Sequence, residues 1–237
     1  MYMERGENAI LMIHGFTGVP SNLKTAIDFF SENEFTVYAP CLPGHGTSPE
    51  DLNRTKWTDW VSTVDKCYQE LKEKEFKKIF VLGHSMGGTL TLRLGELYSN
   101  IDGLIPVAAP VKLKGFLLRL VPILKYFVKY VKKKPQKPHH YITESYDVWP
   151  VPAIHELLKL IKHTRRDLGN IISPTLIIQG TKDELVPLEN LDIIYDGIRS
   201  KIKRRLILED VDHGVFHSDK VDDVLNEILG FINELVK

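Results

Sequence analysis

The chain has 237 residues, 43% of them hydrophobic and 26% charged, with 31 basic and 31 acidic side chains and a formal net charge of zero. That length supports one sizeable α/β domain and not comfortably two, and the even charge balance argues against a chain-wide nucleic-acid footprint. Cys41 and Cys67 are the two cysteines, with no C-x-x-C pair and no disulfide framework, which suits a reducing compartment. No apolar run approaches the length of a membrane span. Glu4 and Glu7 precede the first short apolar run, which is not a signal-peptide layout, so the expectation is a cytoplasmic protein.

In chain order, residues 9–13 read as a buried strand ending at His14-Gly15. Helical patterning follows over 21–33, with Ser21 as its N-cap. Residues 35–39 form the next short strand, closed by Pro40, and Pro43-Gly44-His45-Gly46 is loop. Thr58 is placed to cap a helix running to about Lys74. The apolar run Ile79-Phe80-Val81-Leu82 is a strand, followed by a helix from Met86 to about Tyr98. Further strands cover 104–108, 175–179 and 206–208, with helices near 188–199 and 220–236. Short, wholly apolar strands alternating with helices imply an α/β chain with a mostly parallel sheet of about six or seven strands, covered by helices on both faces. In such sheets functional groups gather beyond the carboxyl ends of the strands. Every polar candidate named below follows a predicted strand.

Residues 111–170 break this rhythm and carry no strand signal. Over 111–140 the chain holds nine basic residues and no acid, interleaved with large apolar ones. The stretch reads as a helical insertion, a cap over the strand ends in an otherwise single domain spanning 1–237. Phe116, Leu120, Ile123, Leu124 and Phe127 are its candidates for lining an acyl pocket. Its cationic face offers a contact for anionic lipid, beside the plainer reading of a solvated cover.

Gly83-His84-Ser85-Met86-Gly87 joins the strand before it to the helix after it, the way a chain presents a nucleophile. The turn must be tight enough to lift the hydroxyl above the sheet, and glycine is needed two residues to either side because side chains there would collide with neighbouring backbone. A serine hydroxyl is a poor nucleophile until a base takes its proton, and the base needs a carboxylate to orient it. The strand at 175–179 leads to Asp183, and that at 206–208 leads to His213. The order serine, acid, histidine follows the strand–turn–helix hydrolase template. An anion site is best built from fixed backbone N–H groups. Met86, at a helix N-terminus, and Phe16, in the loop after the first core strand, are the candidates.

Together His14-Gly15-Phe16-Thr17-Gly18, Gly44-His45-Gly46, Gly83-His84-Ser85-Met86-Gly87-Gly88, Asp183 with Val186-Pro187, and His213 resemble the α/β-hydrolase superfamily. More narrowly, they resemble its small bacterial carboxylesterases and monoacylglycerol lipases. The resemblance spans nearly the whole chain except 111–140. It implies an α/β-hydrolase fold with a helical cap, Ser85 as nucleophile, Asp183 as acid, His213 as base, and the Phe16 and Met86 amides as oxyanion hole. It also suggests that Glu144 bonds the alcohol side of a glyceride, beside the plainer reading of a surface acid pairing with a nearby lysine. The early edge strands of larger members are expected to be absent or reduced to residues 1–5.

Rivals for these roles are His217 for the base, and Glu184, Asp210 and Asp212 for the acid. His84 is read as a packing residue, and His14 and His45 as local loop-shaping groups. A phosphate-loop pattern beginning at Gly83 fails at Thr89, where lysine is required, and a zinc-protease pattern beginning at His155-Glu156 fails at Lys159. No nucleotide, metal or organic cofactor is therefore expected. The expected activity is hydrolysis of acyl esters such as monoacylglycerols. Thioester or aryl-ester hydrolysis, acyl transfer and simple ligand capture by a hydrolase fold remain open on the same residues.

Overall fold

A computed structural model of the chain describes residues 1–133 and 145–237. The strands are β1 (Tyr2–Met3), β2 (Asn8–Ile13), β3 (Phe35–Tyr38), β4 (Lys78–His84), β5 (Gly103–Val107), β6 (Tyr130–Lys132), β7 (Val148–Pro150), β8 (Thr175–Gly180) and β9 (Lys203–Leu208). The α-helices are α1 (Lys24–Glu32), α2 (Pro49–Arg54), α3 (Trp57–Glu73), α4 (Met86–Leu97), α5 (Phe116–Leu124), α6 (Val151–Asp167), α7 (Glu189–Gly197) and α8 (Val221–Val236). Seven strands form one sheet in the order β1-β3-β2-β4-β5-β8-β9. Only β1 is antiparallel to its neighbour, a short edge that limits pairing with other chains.

Side chains alternate between the two faces. Ala9, Leu11, Ile13, Ile79 and Val81 enter one core with Trp60, Val64, Leu90, Leu94, Leu160 and Ile194 from the helices. Ile10, Met12, Phe80 and Leu82 enter the other with Ala26, Ile27, Phe30, Val224 and Ile228. Both faces are therefore dry, which is why these strands are apolar throughout. Register aligns their carboxyl ends: Ile13 stands beside Gly83, His84 beside Val107, and Gly180 beside Leu208.

Several local expectations are corrected. Ser21 does not cap a helix, because Pro20–Leu23 is a 3-10 turn and α1 begins at Lys24. The turn is closed by Asn22, whose Oδ1 accepts the Val19 N–H at 2.7 Å. Thr58 does not cap α3 either. Asp59 reaches back and accepts the Lys56 N–H at 2.8 Å, an acid in the first turn outcompeting the hydroxyl. Helix α2, absent from the sequence reading, is capped by Ser48, whose Oγ accepts the Asp51 N–H at 3.1 Å, with Pro49 at the first helical position. Residues 111–170 do contain strands: β6 and β7 pair as a two-stranded antiparallel ribbon. Three residues each, they are too short to show a period of two, and they are found through their pairing alone.

Candidate active site

The glycines around Ser85 are dictated by backbone approach. A Cβ on Gly83 would lie 2.1 Å from the Gly87 carbonyl oxygen, and one on Gly87 would lie 2.0 Å from that of Ile13. Neither neighbour can yield, since one is helix and the other core strand. Ser85 itself takes φ 57° and ψ −121°, a strained conformation for a residue with a Cβ. Its N–H donates to the Val107 carbonyl at 2.8 Å and its carbonyl accepts from Thr89 N–H at 3.2 Å, so the turn is held from both sides. Gly15 faces it, and a Cβ there would stand 3.2 Å from the Ser85 Cβ.

The loops after β8 and β9 bring the other two groups to this turn. Ser85 Oγ lies 2.9 Å from His213 Nε2, and His213 Nδ1 lies 2.7 Å from Asp183 Oδ2. Asp183 is buried. Its Oδ1 accepts the Leu185 and Val186 N–H groups at 2.9 and 2.8 Å, and Oδ2 accepts a further bond from Gln179 Nε2 at 2.9 Å. Burial opposes the charge on Asp183, but the His213 contact and the two amides outweigh it and hold the carboxyl below its usual range. An ionised Asp183 accepts Nδ1–H, which leaves Nε2 as the acceptor toward Ser85. The rivals are placed elsewhere. Asp212 Oδ1 accepts the Gly214 N–H at 2.8 Å, Asp210 pairs with Lys182 at 2.8 Å, Glu184 is exposed, and His217 closes a 3-10 turn after the His213 loop.

Two supporting residues were not assigned such roles from sequence. Gln179 ends β8 and bridges Asp183 to the Val186 carbonyl, its Nε2 donating to both. The signal was available: a buried amide closing an apolar strand needs partners. His84 donates from Nε2 to the His213 carbonyl at 2.7 Å, and its ring lies 5.0 Å from the His213 ring. Desolvation, helped by His213, pulls His84 down to about 3, so it stays neutral and fixes the loop that carries His213. Nothing in the residue order pointed to that contact.

Met86 opens α4, so its N–H has no carbonyl one turn back to bond. Phe16 sits in the turn closed by Gly18 N–H to Gly15 O at 3.2 Å, where Thr17 takes φ 65°. His14 locks that turn to the loop after β3. Its Nε2 accepts the Leu42 N–H at 3.0 Å, so Nδ1–H donates to the Gly15 carbonyl at 2.9 Å. His45 lies 5.0 Å from His14, ring to ring, and donates from Nδ1 to the Pro43 carbonyl. Burial pulls both imidazoles down, to about 3 for His14 and about 4 for His45.

The cap residues divide by exposure. Leu120 and Leu124 on α5 are half-buried. Ile123 and Phe127 are 61% and 81% exposed and turn outward. Phe116 begins α5, and its side chain, like all of Glu144, lies outside the described residues. The β6–β7 ribbon and the residues leading into it meet the loops after β2 and β3 directly. The Trp149 ring lies parallel to Phe16 at 6.2 Å, and Tyr146 Oη donates to the Gly44 carbonyl at 2.7 Å. Among the described residues no group of three His, Cys, Asp or Glu is placed to hold a metal ion, and no helix is long and apolar enough to cross a membrane.

Residues 5–220 match the family model described as serine aminopeptidase, S33. The thermostable monoacylglycerol lipase of Bacillus sp. (strain H-257) is 34% identical over 215 residues, 90% of this chain and 85% of that one. The carboxylesterase of Bacillus subtilis (strain 168) is 29% identical over 232 residues, 97% of this chain and 94% of that one. Among solved structures, one from the work on LipS and LipT, two metagenome-derived lipolytic enzymes, superposes with a TM-score of 0.93 at 28% identity, covering 99% of this chain and 96% of its own. The monoacylglycerol lipase of Paleococcus ferrophilus superposes at 0.84 with 19% identity, covering 100% and 97%, a likeness of fold.

Proposed function

This chain belongs to the α/β-hydrolase family that carries the serine aminopeptidase S33 description, and from that premise we propose that it cleaves acyl esters, monoacylglycerols first among them, through an acyl-enzyme on Ser85. It is a serine ester hydrolase, as its family match and its lipase and esterase relatives support. One observation carries the mechanism: the continuous line from Ser85 Oγ through the His213 ring to a buried, fully bonded Asp183.

In the first half-reaction Ser85 Oγ attacks the ester carbonyl while its proton passes to His213 Nε2. Asp183 keeps its charge and stabilises the imidazolium through Nδ1–H. The carbonyl oxygen becomes an anion facing the Phe16 and Met86 amides, and the positive end of α4 adds to that field. Collapse breaks the bond to the alcohol, which leaves with the proton from Nε2. In the second half a water gives its proton to Nε2 and attacks the acyl carbonyl. Collapse then frees the acid and returns the proton to Ser85.

The half-buried Leu120 and Leu124 favour an apolar acyl chain over a charged or peptide substrate. The outward apolar residues of the cap have a different fit. Leu117, Ile123, Tyr126 and Phe127 are exposed, with Arg119, Lys125 and Lys129 close to them in the chain. Exposed apolar residues interleaved with cations suit the headgroup boundary of anionic lipid, and docking there would deliver the substrate to the cap.

Ser85→Ala is expected to lose monoacylglycerol hydrolysis by at least about 10³-fold, and to lose labelling by a fluorophosphonate. Parental turnover in that variant would overturn the mechanism. A wild-type protein that takes no fluorophosphonate at any serine would favour ligand capture instead. Rates compared across oxygen esters, thioesters and aryl esters separate the remaining enzymatic readings.

A further inference from the structure

We propose that Lys133 is a positioning residue for the reaction, tying the β6–β7 ribbon of the cap to the turn that carries the Phe16 amide. This rests on the serine-ester reading above. Lys133 immediately follows β6, and its own N–H donates to the Asp147 carbonyl at 3.0 Å, which anchors it to the partner strand's approach. Its Nζ donates to Thr17 Oγ1 at 2.8 Å and to Ser145 Oγ at 3.3 Å. The same ammonium sits 4.3 Å above the Trp149 ring. That ring is parallel to Phe16. One cation thus touches the residue after Phe16 by a hydrogen bond, and reaches Phe16 itself through an aromatic ring.

The geometry makes sense of an otherwise weak point in the site. Thr17 holds φ 65° although it bears a branched side chain, a conformation that persists only when its surroundings impose it. Thr17 is 2% exposed, so its hydroxyl needs an internal partner, and Lys133 supplies one. A cation over an aromatic face is held by the ring's negative face, more strongly when partly desolvated. Burial is the larger influence on Lys133, and despite Asp147 it lowers the ammonium to about 8, as expected of a side chain held inside a contact rather than left in solvent. An oxyanion donor works only if its N–H is aimed beforehand. Lys133 keeps the Phe16 turn aimed.

The test compares Lys133→Met, Lys133→Arg, Thr17→Val and the double variant Lys133→Met/Thr17→Val with the wild type. Each is assayed on a soluble p-nitrophenyl butyrate and on a monoacylglycerol. Lys133→Met should lower kcat about tenfold with KM nearly unchanged, less than the ~10²–10³ that outright loss of an oxyanion donor costs. Lys133→Arg should recover most of the loss, because a guanidinium can both donate to Thr17 and stack on Trp149. The double variant should be no slower than the worse single one, since both remove the same link. Parental kcat in Lys133→Met overturns the proposal. So does a change confined to KM, which would put Lys133 in substrate binding, and so does a double variant whose losses multiply. If Lys133→Met fails to fold, Thr17→Val with Lys133→Arg decides by the same kcat criterion. Fluorophosphonate labelling of wild-type Ser85 keeps the two claims apart: a labelled, active wild type with an unaffected Lys133→Met sinks only the coupling.

Discussion

At the scale of the residue, the site is a set of enforced exceptions. Ser85 is held at φ 57° by the bond its N–H donates to Val107 and the one its carbonyl accepts from Thr89, and the strain is tolerated because the glycines beside it let helix and strand close in. Gly87→Ala tests this. Its methyl would meet the Ile13 carbonyl at 2.0 Å, and neither α4 nor β2 can retreat without opening a core. Overpacking of this kind costs roughly 1–3 kcal/mol or more, which in a chain of this size is a fall in Tm of several degrees. Catalysis should fall further than stability, since Ser85 would be moved off His213. A variant with parental Tm and parental kcat would show that the close approach is not required. The convergence of Asp183, His213 and Ser85 was legible in the sequence because each follows an apolar strand and the order is informative. Gln179 and the His84 contact to the His213 carbonyl were not, because both depend on which loop end faces which.

At the scale of the element, the sheet strands and long helices are the parts that periodicity reports well. α4, α7 and α8 begin and end within a residue or two of where apolar spacing puts them. The caps were missed where two candidates compete within one turn, as with Thr58 and Asp59. β9 was cut short because its first half, Lys203 to Arg205, is charged: it lies at the sheet edge, where such residues face solvent. The cap was legible only as composition. Its helix α5 shows two faces, with Val121 buried and Leu117 and Ile123 outward, and the outward face, with the exposed Phe127 just past the helix, carries the lipid reading. Ile123→Ser with Phe127→Ser should weaken sedimentation with phosphatidylglycerol vesicles several-fold. It should do little to hydrolysis of soluble p-nitrophenyl butyrate. Replacing Lys125 and Lys129 should weaken the same binding most at low salt. Vesicle binding equal to wild type in both variants would remove lipid contact from the account.

For the whole molecule, the buried histidines set an acid limit. His14 and His84 are pulled down to about 3 and His45 to about 4, in each case chiefly by burial. An unfolded histidine titrates near 6.5. Below that pH the unfolded chain binds protons at three rings that the folded chain refuses, so stability is full above 6.5 and declines as pH falls toward 4. Glu96 works the other way: burial raises it to about 8 in spite of Arg93, so the folded state keeps a proton the unfolded state has released. Three rings against one carboxyl leave the balance of bound protons with the unfolded chain once its histidines are charged, so stability falls as pH drops below about 6. Tm measured from pH 7 to pH 4.5 should therefore fall steeply, and His45→Phe should flatten the slope; a level curve would contradict the burial of these rings. The sequence alone determined which residue types stand after which strands, because apolar runs, glycine turns and motif order are local and one-dimensional. Tertiary structure decided the rest. Which hydroxyl, ring and carboxylate come within bonding distance, which face of the cap turns outward, and where Lys133 lands are set by strand register and loop closure, and those are fixed only when the two cores are packed.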